Sequence, residues 1–112
     1  MTIFDPAMRP DLWWHDLSKE EVAKWDATVK SMAIGVFWTP IAYAGWRYLP
    51  STFIMASRDR ALPPAMAQQQ IDFAKAQTPT GLDTVETIDS GHFPMLSQTQ
   101  KVVDFLRKAA GL

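Results

Sequence analysis

Apolar residues recur at helical intervals in three stretches of the chain, and two short stretches between these have the character of strands, one of them a continuous apolar run. The first helical stretch begins at Ser18, because Ser18 and Glu21 have the spacing of a capping box. An apolar stripe follows at helical intervals, made of Val22, Trp25, Val29 and Met32. Residues 1–17, which precede this helix, show no period, and we expect an irregular lead-in there.

An aromatic segment follows the first helix, between Ala33 and Leu49, and fits neither a strand nor an amphipathic helix. Gly35, Pro40 and Gly45 interrupt it, so any helix within it must be short. We therefore predict a partly helical, lid-like connection over these residues.

The second half of the chain alternates between strand and helix patterns. Thr52–Ser57 is a continuous apolar run of the kind found in parallel strands that are covered on both faces. A helix is predicted from Pro63 and Pro64 to about Gln77. A loop of Pro and Gly follows, and Thr84–Ile88 is the second predicted strand.

The chain closes with a third helical stretch. Ser97 and Gln100 have capping-box spacing, and an apolar stripe runs from Val102 to Ala110 before Gly111. The order strand, helix, strand, helix predicts a parallel α/β arrangement. Two such strands are marginal alone, so we expect either further strands from elsewhere or association with a partner. The chain divides into a lead-in and cap-like part, 1–49, and a βαβα part, 50–112.

Composition narrows the function classes. The chain has 112 residues, of which 47% are hydrophobic and 21% charged, as in globular proteins. A net charge of −1 gives no electrostatic reason to expect nucleic acid or a membrane surface as partner. It has no cysteine and no phosphate-binding glycine pattern, and His15 has no second histidine nearby. We expect no metal, no cofactor and a cytoplasmic location.

Asp59 and His92 are the candidate catalytic residues. Asp59 follows the first predicted strand and His92 follows the second. Functional groups of parallel sheets collect at the carboxyl ends of the strands, so the topology brings this carboxylate beside this imidazole. Such a carboxylate orients the ring and stabilises the imidazolium formed during proton transfer. Taken singly, each residue is more often a turn or surface residue, and the pairing favours the functional interpretation.

Two runs of sequence resemble a known family. The run from Pro50 to Pro63 is similar to the penultimate core strand and acid turn of α/β-hydrolases, with Asp59 in the position of the triad acid. The run from Asp89 to Gln98 is similar to the family's histidine loop, with a Gly-His pair before the last helix. Details of these two runs are similar to the branch of the family that includes hydroxynitrile lyases and esterase-like proteins. The resemblance implies a partial α/β-hydrolase fold with two parallel strands, flanking helices and the remnant of a helical cap.

The family's nucleophile is missing from the printed sequence. It contains no G-x-S-x-G elbow, and Ser90 lies next to the Gly-His pair without an elbow pattern around it. The resemblance therefore implies a C-terminal, truncated part of a serine ester hydrolase that is inactive alone. The intact family member would act on a small apolar ester. A missing N-terminal half and a homodimer remain open as partners, and the alternative function is a non-catalytic dimerising or binding module.

Overall fold

Two parallel strands form the sheet of the second half. The computed structural model describes residues 5–79 and 81–112. Strand β1 (Thr52–Ala56) pairs with strand β2 (Thr84–Ile88), with Thr52 opposite Thr84 and Ala56 opposite Ile88. This in-register pairing brings the carboxyl ends of both strands to one edge. The predicted α/β class, with two parallel strands and flanking helices, is confirmed.

Helix α3 (Pro64–Gln77) carries the connection between the strands. It begins at the second of two prolines, as predicted, because a proline in the first turn lacks only an N–H that has no helical partner there. Its buried side chains, Ala67, Ile71 and Ala74, recur every three or four residues. Ile71 and Ile88 of β2 are each almost fully buried. Burial of each such isoleucine stabilises the fold by about 1.5–3 kcal/mol.

The last helical region consists of α4 (Pro94–Ser97) and α5 (Thr99–Ala109). The predicted capping box at Ser97 is wrong. Ser97 is the last residue of α4, the N-cap of α5 is Gln98, and the Gln100 side chain donates to Asp104 instead. Gly111 follows α5 with φ of 75°, the left-handed conformation that glycine favours after a helix.

The first half holds α1 (Arg9–Leu12) and α2 (Lys19–Asp26). The capping box of α2 is confirmed, since Ser18 accepts from the Glu21 N–H and the Glu21 side chain accepts from the Ser18 N–H. The predicted stripe overruns the helix, which ends before Val29. The Thr28 hydroxyl donates to the Trp25 carbonyl at 2.6 Å and so satisfies a carbonyl that a longer helix would have used.

Residues 5–17 of the lead-in are more ordered than their sequence indicates, and residues 1–4 lie outside the described part of the chain. The lead-in contains α1, and Trp14 is buried to 5% exposure while its indole N–H donates to Asp26 of α2. The aromatic segment contains two short 3-10 helices, Ile34–Phe37 and Gly45–Arg47, and many of its large side chains are exposed. Within the described residues, no helix has both the length and the apolar character needed to cross a membrane.

Candidate active site

In the acid turn after β1, backbone N–H groups hold the side chain of Asp59 by hydrogen bonds. One carboxylate oxygen, Oδ1, accepts hydrogen bonds from the N–H groups of Ala61 and Leu62, both at 2.8 Å. Only 9% of the Asp59 side chain is exposed. These two bonds fix the plane of the carboxylate and leave Oδ2 for another donor.

The histidine loop after β2 runs alongside the acid turn. The backbone pairing of the strands continues beyond their ends, because the Ser57 N–H donates to the Ile88 carbonyl at 2.8 Å. The Arg58 N–H donates to the Ser90 carbonyl at 3.0 Å. The Arg58 side chain also binds the Asp89 carboxylate, with Nε at 2.6 Å from Oδ1. The two loops therefore form one continuous backbone unit.

Asp59 and His92 meet at this edge. The distance from His92 Nδ1 to Asp59 Oδ2 is 2.8 Å. A carboxylate can only accept, so Nδ1 carries the shared proton. In a neutral imidazole Nε2 is then the basic atom, and 31% of the His92 side chain is exposed. This arrangement can take up and return a proton at Nε2 while the carboxylate stabilises the charged ring.

Four residues of the lead-in also border this site, and the sequence analysis did not assign them to it. The rings of Trp13 and His92 lie nearly parallel, with centroids 6.4 Å apart. Trp14 stacks on Phe93 at 4.6 Å between centroids. His15 and Asp16 form hydrogen bonds with the acid turn and the histidine loop, respectively. Their only sequence signal is the density of aromatic and titratable residues in Trp13–Asp16, which does not say what they contact.

Asp16 bonds to the histidine loop directly. Its Oδ2 accepts from the Gly91 N–H at 2.6 Å. Burial raises the pKa of Asp16, but the Gly91 hydrogen bond, the neighbouring Ser97 hydroxyl and the charge of His15 act in the opposite direction and prevail. The pKa of Asp16 therefore lies below its ordinary value, which favours the ionised carboxylate.

Ser90, two residues before His92, is not placed as a nucleophile. Ser90 is fully buried, and its hydroxyl donates to the Gly91 carbonyl at 3.1 Å. No cluster of three or more potential ligands that could hold a metal occurs in the part of the chain that the structure describes.

An apolar groove adjoins the pair. It has a volume of about 290 Å³, and its walls come from β1, α3, α4 and α5 as well as from Asp59 and His92. Its apolar walls include Ile54, Leu62, Met95 and Val102. A second groove of about 450 Å³ lies elsewhere, between Trp46 and the side of α3 that bears Met66 and Phe73.

The parallel strands with an acid after one and a histidine after the other define a chain of the α/β-hydrolase class, and comparison with known proteins agrees. A profile of the alpha/beta hydrolase family matches residues 2–105, so the chain belongs to that family. It is 29% identical over 111 residues to the probable hydrolase R7 of a Phoma species, covering 99% of this chain and 43% of the relative. It is 32% identical over 73 residues to the alpha/beta hydrolase nvfD of Aspergillus novofumigatus, covering 65% of this chain and 27% of the relative. The chain thus spans less than half the length of these relatives.

Proposed function

We propose that this chain supplies the general base, His92, and its orienting acid, Asp59, to a Ser-His-Asp ester hydrolase. The single observation that carries the proposal is the 2.8 Å contact between His92 Nδ1 and Asp59 Oδ2 at the carboxyl ends of neighbouring parallel strands. The fixed carboxylate and the partly exposed ring support it further. The nucleophilic serine and the oxyanion hole would come from residues outside this sequence.

In the proposed reaction a serine Oγ attacks the ester carbonyl carbon while His92 Nε2 takes its proton. Asp59 holds the imidazolium that results. Collapse of the tetrahedral intermediate breaks the bond to the alcohol oxygen, and His92 returns the proton to the leaving alcohol. Water then attacks the acyl carbon while His92 Nε2 takes a proton from it. The bond between the acyl group and the serine Oγ breaks, the carboxylic acid leaves, and His92 returns the proton to Oγ.

The chain alone would be inactive on esters. The members of a triad act as a unit, and a base without a nucleophile and an oxyanion hole loses the acyl-transfer chemistry. A purified sample should therefore show no hydrolysis of short-chain aryl esters above the buffer rate.

An apolar ester is the proposed substrate class, because the groove beside His92 is lined mainly by aliphatic side chains. The same triad serves carbon–carbon lyase chemistry on cyanohydrins in a related branch of the family. Assaying an aryl ester and a cyanohydrin in parallel separates the two activities.

The test begins with the DNA and transcript on the 5′ side of the Met1 codon, where we expect a segment that encodes a G-x-S-x-G elbow. The polypeptide, or pair of polypeptides, that carries both parts should hydrolyse short-chain aryl esters. His92→Ala should abolish this activity, and Asp59→Asn should lower kcat by roughly 10⁴-fold. Asp83→Asn removes a carboxylate at the opposite end of the strands and should leave kcat near that of the parent protein. Full activity in the His92→Ala variant would contradict the proposal.

A second candidate is a non-catalytic module that dimerises, and the exposed apolar surface favours it. Phe73 is 67% exposed and Trp38 is 78% exposed, and both are large apolar side chains. A stable homodimer, combined with no esterase activity in a protein that also carries the elbow, would favour this module over the hydrolase.

A further inference from the structure

The segment between α1 and α2 bonds to both loops of the candidate site. The distance between His15 Nε2 and the Arg58 carbonyl oxygen is 2.9 Å. A carbonyl only accepts, so Nε2 is the donor. Asp16 Oδ2 accepts from the Gly91 N–H at 2.6 Å. These partners are 43 and 75 residues away along the chain.

The two bonded backbone groups belong to the residues directly before the proposed catalytic residues. Arg58 precedes Asp59, and Gly91 precedes His92. The Arg58 carbonyl belongs to the peptide that joins Arg58 to Asp59. The Gly91 N–H belongs to the peptide that joins Ser90 to Gly91, one residue further from His92. Holding these peptides limits the directions in which the Asp59 and His92 side chains can point. Catalytic side chains have to stay within about 0.5 Å of their productive geometry, and neighbouring hydrogen bonds provide this precision.

The fit between the segment and the histidine loop depends on a glycine. A Cβ at position 91 would lie 2.6 Å from Asp16 Oδ1 and 2.9 Å from both Asp16 Cγ and His15 Nε2. Atoms this close overlap, so only glycine admits the approach of this carboxylate. Nothing in the backbone angles demands it, since among the described residues Gly111 alone has a positive φ. The glycine is therefore required by the neighbouring His15 and Asp16.

We propose that His15 and Asp16 are positioning residues, which hold the acid turn and the histidine loop at the separation that the Asp59–His92 hydrogen bond requires. His15 acts on Asp59 through the Arg58 carbonyl, and Asp16 acts on His92 through the Gly91 amide. The catalytic meaning of this role rests on the proposed hydrolase function, but the geometric role exists in the chain alone and can be measured there.

If His15 and Asp16 only stabilised the fold, a different experimental result would be expected. The same segment also places Trp14 against Phe93, and it could serve only to bury that pair. In that case removing the Asp16 charge would change the overall stability and the Gly91 amide, but not the hydrogen bond of His92 to Asp59.

The test follows the His92 Nδ1 proton by NMR in the 112-residue chain. Asp16→Asn keeps the size and shape of the side chain but replaces a charged acceptor by a weaker neutral one. We expect the Gly91 amide proton to move upfield and the Nδ1 proton to exchange with water about tenfold faster, a factor that corresponds to about 1.4 kcal/mol. The matched control is Asp83→Asn, which weakens a carboxylate bond to the Ser51 N–H at the far end of the strands.

His15 provides an independent pair of variants. His15→Ala removes the donor to Arg58 and should also accelerate exchange of the Nδ1 proton. His15→Gln places an amide donor at a similar reach and should restore the slow exchange.

The outcomes are separable from those of the hydrolase proposal. If the Asp16→Asn and His15→Ala variants exchange the Nδ1 proton at the rate of the Asp83→Asn control, the positioning role is overturned. If His92 shows no Nδ1 proton bonded to Asp59 in the parent chain itself, the proposed catalytic pair fails first.

Discussion

At the residue scale, Asp59 divides its two carboxylate oxygens between different partners. Oδ1 faces two backbone N–H groups, and Oδ2 faces His92 Nδ1. An asparagine at this position would keep its oxygen on the N–H groups, because an NH2 group cannot accept from them. Its NH2 would then donate to Nδ1 and force the proton of a neutral His92 onto Nε2. An oxygen of residue 59 therefore faces His92 only when both terminal atoms of its side chain are hydrogen-bond acceptors, as in a carboxylate.

Gly91 gives the first prediction at this scale. Gly91→Ala should lower the free energy of unfolding by about 1–3 kcal/mol, because the added methyl group overlaps Asp16 and His15. Urea unfolding measures the change. Gly35→Ala is the control, since a Cβ there meets nothing within 4 Å. Equal stabilities of the two variants would show that the close approach at Gly91 is absent in solution.

Asp16 gives a prediction on pH. Its pKa is depressed in the folded state, so the ionised carboxylate contributes stability above the unfolded pKa of about 3.8. This contribution is lost as the pH falls below that value and through the folded pKa. Asp16→Asn should therefore lower the stability at pH 7 and flatten its decline on acidification, as measured by urea unfolding between pH 7 and pH 3. A variant whose acid limb is parallel to that of the parent chain would contradict the depressed pKa.

At the scale of elements, most predictions succeeded where the signal is local and repeated. The two strands and α3 were predicted closely. A continuous apolar run marks β1, a double proline marks the start of α3, and a loop of Pro and Gly precedes β2. The Ser97 capping box failed because Pro94 starts a separate short helix that already contains Ser97. A four-residue pattern cannot reveal a competing helix that begins upstream of it.

The cap of α2 offers a test at this scale. Ser18→Ala removes the hydroxyl that accepts from the Glu21 N–H and should cost about 1 kcal/mol in the free energy of unfolding. Ser31→Ala, an exposed serine beyond the end of α2, is the control and should be nearly neutral. Thermal or urea unfolding measures the change in the free energy of unfolding of both variants. Loss of stability of the same size in both would mean that the capping box does not hold α2.

At the scale of the whole molecule, the chain exposes more surface than its mass predicts. The accessible surface is 7851 Å², whereas a compact monomer of 12.6 kDa has about 6,200 Å². The radius of gyration is 15.6 Å, against about 13 Å for a compact domain of this size. Among the described residues the buried part of the core is correspondingly small. The expectation that the sheet needs covering from elsewhere stays a prediction.

The second groove, between Trp46 and α3, gives the prediction at this scale. We expect the chain to associate as its concentration rises, and Phe73→Glu to weaken this association because it places a charge in the groove. Ala65→Glu adds the same charge to the same helix outside the groove and serves as the control. Sedimentation velocity over a concentration series measures the effect. Identical behaviour of the two variants would place the association elsewhere.

In the candidate site, only the contact that follows from the pairing of the two strands could be predicted from the sequence. Asp59 and His92 lie 33 residues apart, and their contact followed from two parallel strands whose carboxyl ends meet at one edge. Asp16 lies 75 residues from Gly91 in a lead-in without periodicity, and no strand pairing relates the two segments. Their contact depends on the packing of Trp14 and Phe93, which a hydrophobic pattern does not specify.

The most direct test of the central claim is the tautomer of His92, read from long-range 1H–15N correlations of its ring in the 112-residue chain. At a pH where the ring is neutral, the parent chain should carry its proton on Nδ1, and Asp59→Asn should move it to Nε2. A proton on Nε2 in the parent chain, unchanged by Asp59→Asn, would mean that Asp59 does not orient His92 and that the two residues are not a base and its acid.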